Sequence, residues 1–251
     1  MGRANSRVPK RSTARRTETV MIPLRDTNPR HHGFPWITAA IIGINCAVFL
    51  REVIASPADL ELLIGAYALV PARTVAFFSG SPVPVSEALF PFFTSMFLHG
   101  GWMHLIGNMW FLWIFGDNVE DRMGRLRYVA LYLAGGLAGS LTHLLFSSDS
   151  VLPTLGASGA IAGVMGAYLV TFPGARVLTL IPFFFLFTTE LPAYVILLYW
   201  LLLQFFSGAA SLGAADAMQG GVAWFAHIGG FAIGIPLMLL LRGRRRGERE
   251  S

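Results

Sequence analysis

The sequence predicts an all-α polytopic membrane protein, built as a bundle of six transmembrane helices. Three observations carry that prediction. The 251-residue chain is 54% hydrophobic and only 13% charged, about half the charge of a soluble domain. Its apolar residues gather into runs of roughly 17–25 residues, the length that crosses hydrocarbon as a helix. Its formal net charge of +5 sits almost wholly at the two ends. Basic tails with no folded basic domain between them read as topology signals, so no nucleic acid is expected as a partner. Cys46 is the only cysteine, which excludes an intrachain disulfide and a Cys-based zinc site. No metal or other cofactor is expected.

Residues 1–33 carry eight Lys/Arg, two acids and three prolines without the apolar core of a signal peptide. They read as a disordered basic tail ahead of a six-helix domain at 34–241, with a second basic tail at 242–251. The first span is Trp36–Ile54, with Trp36 as an interfacial anchor. From Ala55 to Pro91 the chain is semi-apolar and broken by prolines, and Leu60–Val70 is too short to cross. That loop is expected to lie in or on the outer leaflet. The second span is Trp102–Gly116, followed by a charged turn over Asp117–Arg127 with a break at Gly124. Leu126–Phe146 is the third span, and the fourth runs from Thr154 to Phe172, where Pro173-Gly174 ends it. Val177–Phe187 reads as an interfacial connection and its Phe-rich end as lipid-facing bulk. Leu191–Phe206 is the fifth span, Ser207–Gly221 a flexible loop, and Val222–Leu241 the sixth span.

Six spans put both ends of this chain on one side. All of the 19 Lys and Arg residues except Arg51 and Arg73 then fall on that side, which the positive-inside rule makes cytoplasmic. A compact six-span core without an additional helix points to a bacterial inner membrane.

This topology aligns four polar groups. Spans two, four and six all enter from outside, carrying His104 and Asn108, Ser158, and His227 respectively. At ~1.5 Å per residue these groups lie roughly 3–9 Å below the outer ends of their helices. Polar residues at such depth are costly and mark function. His104 and Asn108 are four apart and share a helix face. Gly159 and Gly163 make a GxxxG pair beside Ser158, as Gly230 and Gly234 do beside His227. Small residues let helices approach closely in lipid, and a Ser–His hydrogen bond needs that approach.

A serine hydroxyl becomes a nucleophile when a base takes its proton, and His227 is placed to be that base. The oxyanion of a tetrahedral intermediate needs donors. His104, Asn108 and the Ser158 amide, free in the first turn of its helix, can supply them. Other polar residues have plainer readings. His143 is structural, and His99 supports either the loop or His104. Glu120 and Arg122 form a solvated face, while Asn45 and Gln204 make interhelical hydrogen bonds. Gly156-Ala157-Ser158-Gly159 lacks the strand that a nucleophile elbow requires.

His99-Gly-Gly-Trp-Met-His104-Leu-Ile-Gly-Asn108, Gly156-Ala-Ser158-Gly159 and Ala226-His227-Ile-Gly-Gly230-Phe-Ala-Ile-Gly234 together resemble the rhomboid intramembrane serine proteases over about Trp36–Leu241. The resemblance implies a rhomboid-like bundle and a Ser158–His227 dyad. It also implies an oxyanion hole from His104, Asn108 and the Ser158 amide. The expected activity is hydrolysis of peptide bonds in or beside transmembrane segments of other membrane proteins, within the lipid bilayer. Span five and the loop after it would form the substrate gate, and Glu120–Gly124 matches the family's ExxxG turn. Some members carry an aromatic residue four after the serine, stacked on the histidine, where this chain has Ala162. Inactive relatives place proline before the serine position, where this chain has Ala157. The alternative is a non-catalytic rhomboid-like binder of membrane helices in quality control. A transporter is disfavoured because no proton-relaying residue lies near the middle of a span.

Overall fold

Proline and glycine punctuate the chain where its helices begin and end. The computed structural model describes residues 21–28, 33–183, 185–211 and 223–241. The first elements are strand β1 (Ile22–Asp26) and helices α1 (Trp36–Ile54), α2 (Pro57–Tyr67), α3 (Pro71–Phe78), α4 (Val85–Leu89) and α5 (Pro91–Thr94). A 3₁₀ turn at Ser95–Phe97 leads to α6 (Trp102–Met123), α7 (Arg125–Phe146) and α8 (Ser158–Thr171). Strands β2 (Arg176–Phe183) and β3 (Phe185–Pro192) precede α9 (Ala193–Ser211) and α10 (Trp224–Leu241). Pro57 and Pro71 open α2 and α3, where a missing N–H costs nothing. Gly124, at φ 80°, separates α6 from α7.

The chain is a polytopic helical membrane protein. Helices α1, α7, α9 and α10 are long and apolar enough to cross a bilayer. Helix α6 has 22 residues, with Asp117, Glu120, Asp121 and Arg122 gathered toward its end. Helix α8 has 14 residues, about 21 Å of length, well short of ~30 Å of hydrocarbon. It does not need to match the lipid, because α6, α7, α9 and α10 pack around it and every residue from Gly159 to Tyr168 is buried. This central short helix sets the depth of the residue at its head, Ser158.

Glycine makes the packing around α8 possible. A Cβ on Gly230 of α10 would overlap the Gly159 carbonyl oxygen of α8, and one on Gly234 would overlap that of Gly163. The two expected GxxxG pairs therefore face each other. Helix α7 joins the same contact, where a Cβ on Gly135 would come within 3.2 Å of the Ala160 carbonyl oxygen.

The structure corrects several expectations. Residues 22–26, assigned above to a disordered tail, form β1. The stretch read as an interfacial connection is a β-hairpin, with Val177 opposite Leu191 and Thr179 opposite Thr189. Strand β1 pairs antiparallel with β2, giving the sheet order β1-β2-β3. The run is rich in β-branched and aromatic residues, which suit a pleated strand. Trp110 Nε1 donates to the Pro23 carbonyl at 2.7 Å, and Tyr168 Oη and Asn118 Nδ2 both donate to Asp26 Oδ2. These bonds tie β1 to α6 and α8. The rest of the basic N-terminal segment (1–20 and 29–32), the C-terminal segment (242–251), most of the expected loop (212–221) and Val222 of the expected sixth span lie outside the described residues. Residues 207–211, also expected in that loop, continue α9.

Glu120 is not on a solvated face. It is buried and accepts from Ile37 N–H at 3.0 Å, from Thr38 N–H at 2.8 Å and from the Thr38 hydroxyl at 2.9 Å. One carboxylate thus caps the first turn of α1, which has no side-chain cap of its own. Glu120→Ala is expected to destabilise the protein by about 3 kcal/mol, because buried donors lose a charged acceptor. Glu120→Gln, keeping one acceptor oxygen, should lose less. Thermal melting in detergent, followed by tryptophan fluorescence, checks this, and an unchanged midpoint for the alanine variant would refute it. Asn45 Nδ2 donates to the Ile41 carbonyl of its own helix at 2.8 Å, and its side chain meets the Tyr132 hydroxyl of α7.

Candidate active site

The site begins with the turn that delivers Ser158. Leu69 and Thr154 exchange backbone hydrogen bonds of 3.0 and 2.7 Å, pinning the segment before α8 to the end of α2. Two residues on, Gly156 N–H donates to the Ser95 carbonyl at 2.9 Å. Gly156 has φ +126°, which L side chains rarely adopt. A Cβ there would also lie 2.7 Å from the His104 ring and 3.7 Å from Asn108 Nδ2. Glycine therefore lets the backbone rise against these two side chains just before Ser158 starts α8.

His227 lies in the first turn of α10, and its ring is buried. Ser158 Oγ and His227 Nε2 are 2.7 Å apart. The helices predicted to meet do meet, at the level of these two groups. On its other side, His227 Nδ1 lies 2.7 Å from Gln204 Oε1 of α9. The Trp200 ring lies 5.6 Å from the imidazole, tilted by 33°, and the Trp224 ring stands edge-on at 6.4 Å. Ala162 offers no aromatic face, but α9 and the start of α10 provide two.

His104 and Asn108 lie within the first two turns of α6. Gly100 N–H approaches His104 Nδ1 at 3.3 Å, so Nδ1 is the acceptor and Nε2 carries the hydrogen. Asn108 is buried, and its Nδ2 has no hydrogen-bond partner among the described residues. Buried donors are normally satisfied, so a free amide here suits an oxygen that arrives with a reactant. His99 packs behind, its ring 5.2 Å from that of His104 and 6.5 Å from Phe49. Its backbone N–H donates to Glu52 of α1 at 3.2 Å. Burial, with His104 close by, pushes the His99 imidazole down to about 4, so it is neutral near pH 7. His143 stays structural and pairs with the Thr154 hydroxyl at 2.9 Å. A small recess beside Ser158 is lined by Ser95, Ser140, Thr154, Gly159 and Ala226.

Sequence reasoning treated Gln204 as a lone interhelical hydrogen bonder and did not name its partner. Its spacing from Trp200, one helical turn, was the available signal that both face the same neighbour.

A short buried helix headed by a serine, with an imidazole at hydrogen-bond distance, thus sits at the centre of a polytopic helical membrane protein. The family model for the Rhomboid domain matches residues 86–244, and the chain belongs to the rhomboid family. It is 34% identical over 151 residues to Presenilin-associated rhomboid-like protein A, mitochondrial, of Danio rerio, covering 56% of this chain and 38% of that protein. It is 33% identical over 146 residues to Rhomboid protein 1, mitochondrial, of Saccharomyces cerevisiae, with coverage of 56% and 38%. Rhomboid protease GluP of Bacillus subtilis is 43% identical over 76 residues, 30% of this chain and 14% of that protein. The matched region thus spans well under half the length of these relatives.

Proposed function

We propose that this protein is an intramembrane serine endopeptidase that hydrolyses peptide bonds in or beside transmembrane segments of other membrane proteins. The observation that carries the reading is the 2.7 Å contact between Ser158 Oγ and His227 Nε2. In this reading His227 takes the hydroxyl proton as Ser158 attacks the scissile carbonyl carbon, and the C=O π pair moves onto oxygen. His104 Nε2–H, Asn108 Nδ2–H and the Ser158 amide stabilise that oxyanion. The imidazolium then protonates the leaving amine as the C–N bond breaks. Water, activated by the same imidazole, releases the acyl group and restores the serine. Gly156, Gly159, Gly163, Gly230 and Gly234 let the backbones approach, and His99 backs His104.

The functional domain is assigned to residues 34–241 together with β1. The Lys/Arg distribution supports placing the ends of this chain in the cytoplasm and Ser158 toward the opposite face. The bacterial inner-membrane expectation rests on the compact core, and the mitochondrial relatives give it no support.

A fluorophosphonate probe tests the reading. Purified protein should be labelled at Ser158 and should cleave a model transmembrane substrate, while Ser158→Ala should do neither. An unlabelled wild-type protein that retains helix binding would replace the reading with the non-catalytic binder.

A further inference from the structure

We propose that Gln204 is a positioning residue for His227, fixing its tautomer, and that α9 therefore arms the base only while seated against α10. The inference rests on the protease reading. Gln204 Nε2 lies 3.3 Å from the Trp200 carbonyl, one turn back on α9. That carbonyl can only accept, so the amide nitrogen must face it. A flipped amide would set two acceptors against each other. The Gln204 oxygen is thus committed to the other side, where it lies 2.7 Å from His227 Nδ1.

An oxygen acceptor at Nδ1 requires an Nδ1–H donor. In the neutral ring this leaves Nε2 with its lone pair, directed at Ser158 Oγ. The polarity of the whole chain follows from one backbone carbonyl: Trp200 C=O orients Gln204, Gln204 selects the tautomer, and that tautomer accepts the serine proton. In a Ser-His-Asp triad an aspartate does this work. Here the acceptor is a neutral amide, so no further carboxylate has to be buried beside hydrocarbon. Gln204 is itself buried at 6% exposure, which keeps water from replacing it.

Both residues that hold the ring from this side, Trp200 and Gln204, belong to α9. That helix exposes Leu202, Phe205 and Phe206 away from the site. A substrate helix that displaced α9 on entering would break the Nδ1 bond. Proton transfer would then wait until α9 returned.

The test uses full-length protein in detergent or liposomes, comparing wild type with Gln204→Met and Gln204→Glu. Methionine keeps length and apolar bulk but offers no oxygen acceptor, whereas a glutamyl side chain keeps one in either protonation state. For Gln204→Met, kcat on a model transmembrane substrate should fall by about 10- to 100-fold, with KM changed less than about twofold. The fluorophosphonate labelling rate should fall in parallel, and Gln204→Glu should recover most of the loss. In ¹⁵N-histidine NMR, His227 should carry its proton on Nδ1 in wild type and shift toward Nε2 in Gln204→Met. An unchanged tautomer and labelling rate in Gln204→Met would overturn the proposal. So would equal losses in the two variants. If wild-type protein neither labels nor cleaves, the protease reading fails, and the NMR comparison alone decides the role of Gln204.

Discussion

A His227→Ala protein is expected to lose turnover of a model transmembrane substrate by about 10⁴-fold or more, equivalent to at least about 5 kcal/mol of barrier. In the proposed mechanism His227 acts on the Ser158 hydroxyl in the chemical step alone. The loss should therefore fall on kcat, with KM nearly unchanged. The substitution also leaves Gln204 Oε1 without its 2.7 Å partner, so a small drop in melting temperature should accompany it. Steady-state cleavage in proteoliposomes separates these effects. Turnover above a tenth of the wild-type value would mean that another group deprotonates the serine and that the dyad is misassigned.

Gly230→Ala should be among the most damaging single methyl groups in the bundle, on a par with Gly234→Ala. Its Cβ would fall on the Gly159 carbonyl oxygen, and backbone cannot swing aside as a flexible side chain does. Helix α10 would have to withdraw from α8, at a cost of about 3 kcal/mol or more. Because His227 lies one turn from Gly230, the same withdrawal should stretch the contact with Ser158. Folding yield, melting temperature and fluorophosphonate labelling should therefore fall together. Gly43→Ala is the control, since nothing lies within 4 Å of the added carbon. Gly159→Ala makes a finer contrast, its Cβ meeting the Ala226 carbonyl oxygen at an ordinary 3.5 Å. If Gly230→Ala melts like Gly43→Ala, the close approach of α8 and α10 is wrong.

The helices and the heart of the site were legible because hydrocarbon penalises the same features that reveal them. Ser158, His227, His104 and Asn108 stood out as costly groups at a common depth, and glycine spacing marked the faces that touch. Glu120 was misread for a local reason: Asp117, Asp121 and Arg122 made its neighbourhood look solvated. Sequence does not show which face of α6 turns toward the head of α1. Gln204 was visible as polar, but the neighbour it faces depends on how α9 rotates, and packing decides that. The sheet was missed because a search for apolar helical runs discards a 17-residue stretch containing Pro182, and because nothing local in Ile22–Asp26 announces a partner 150 residues away.

That distant partner has a consequence for biogenesis. Strand β1 pairs with β2, opposite Val177 to Leu180, so β1 cannot enter its sheet until the ribosome has made the whole stretch through α8 and the start of β2. At ~5–20 residues per second, that delay is roughly 8–30 s. Throughout it, α1, α6, α7 and α8 must enter the bilayer while Ile22–Asp26 has no strand to join. Closure of the sheet is therefore a late step that reports the arrival of α8, and a nascent chain stalled before residue 177 would lack it.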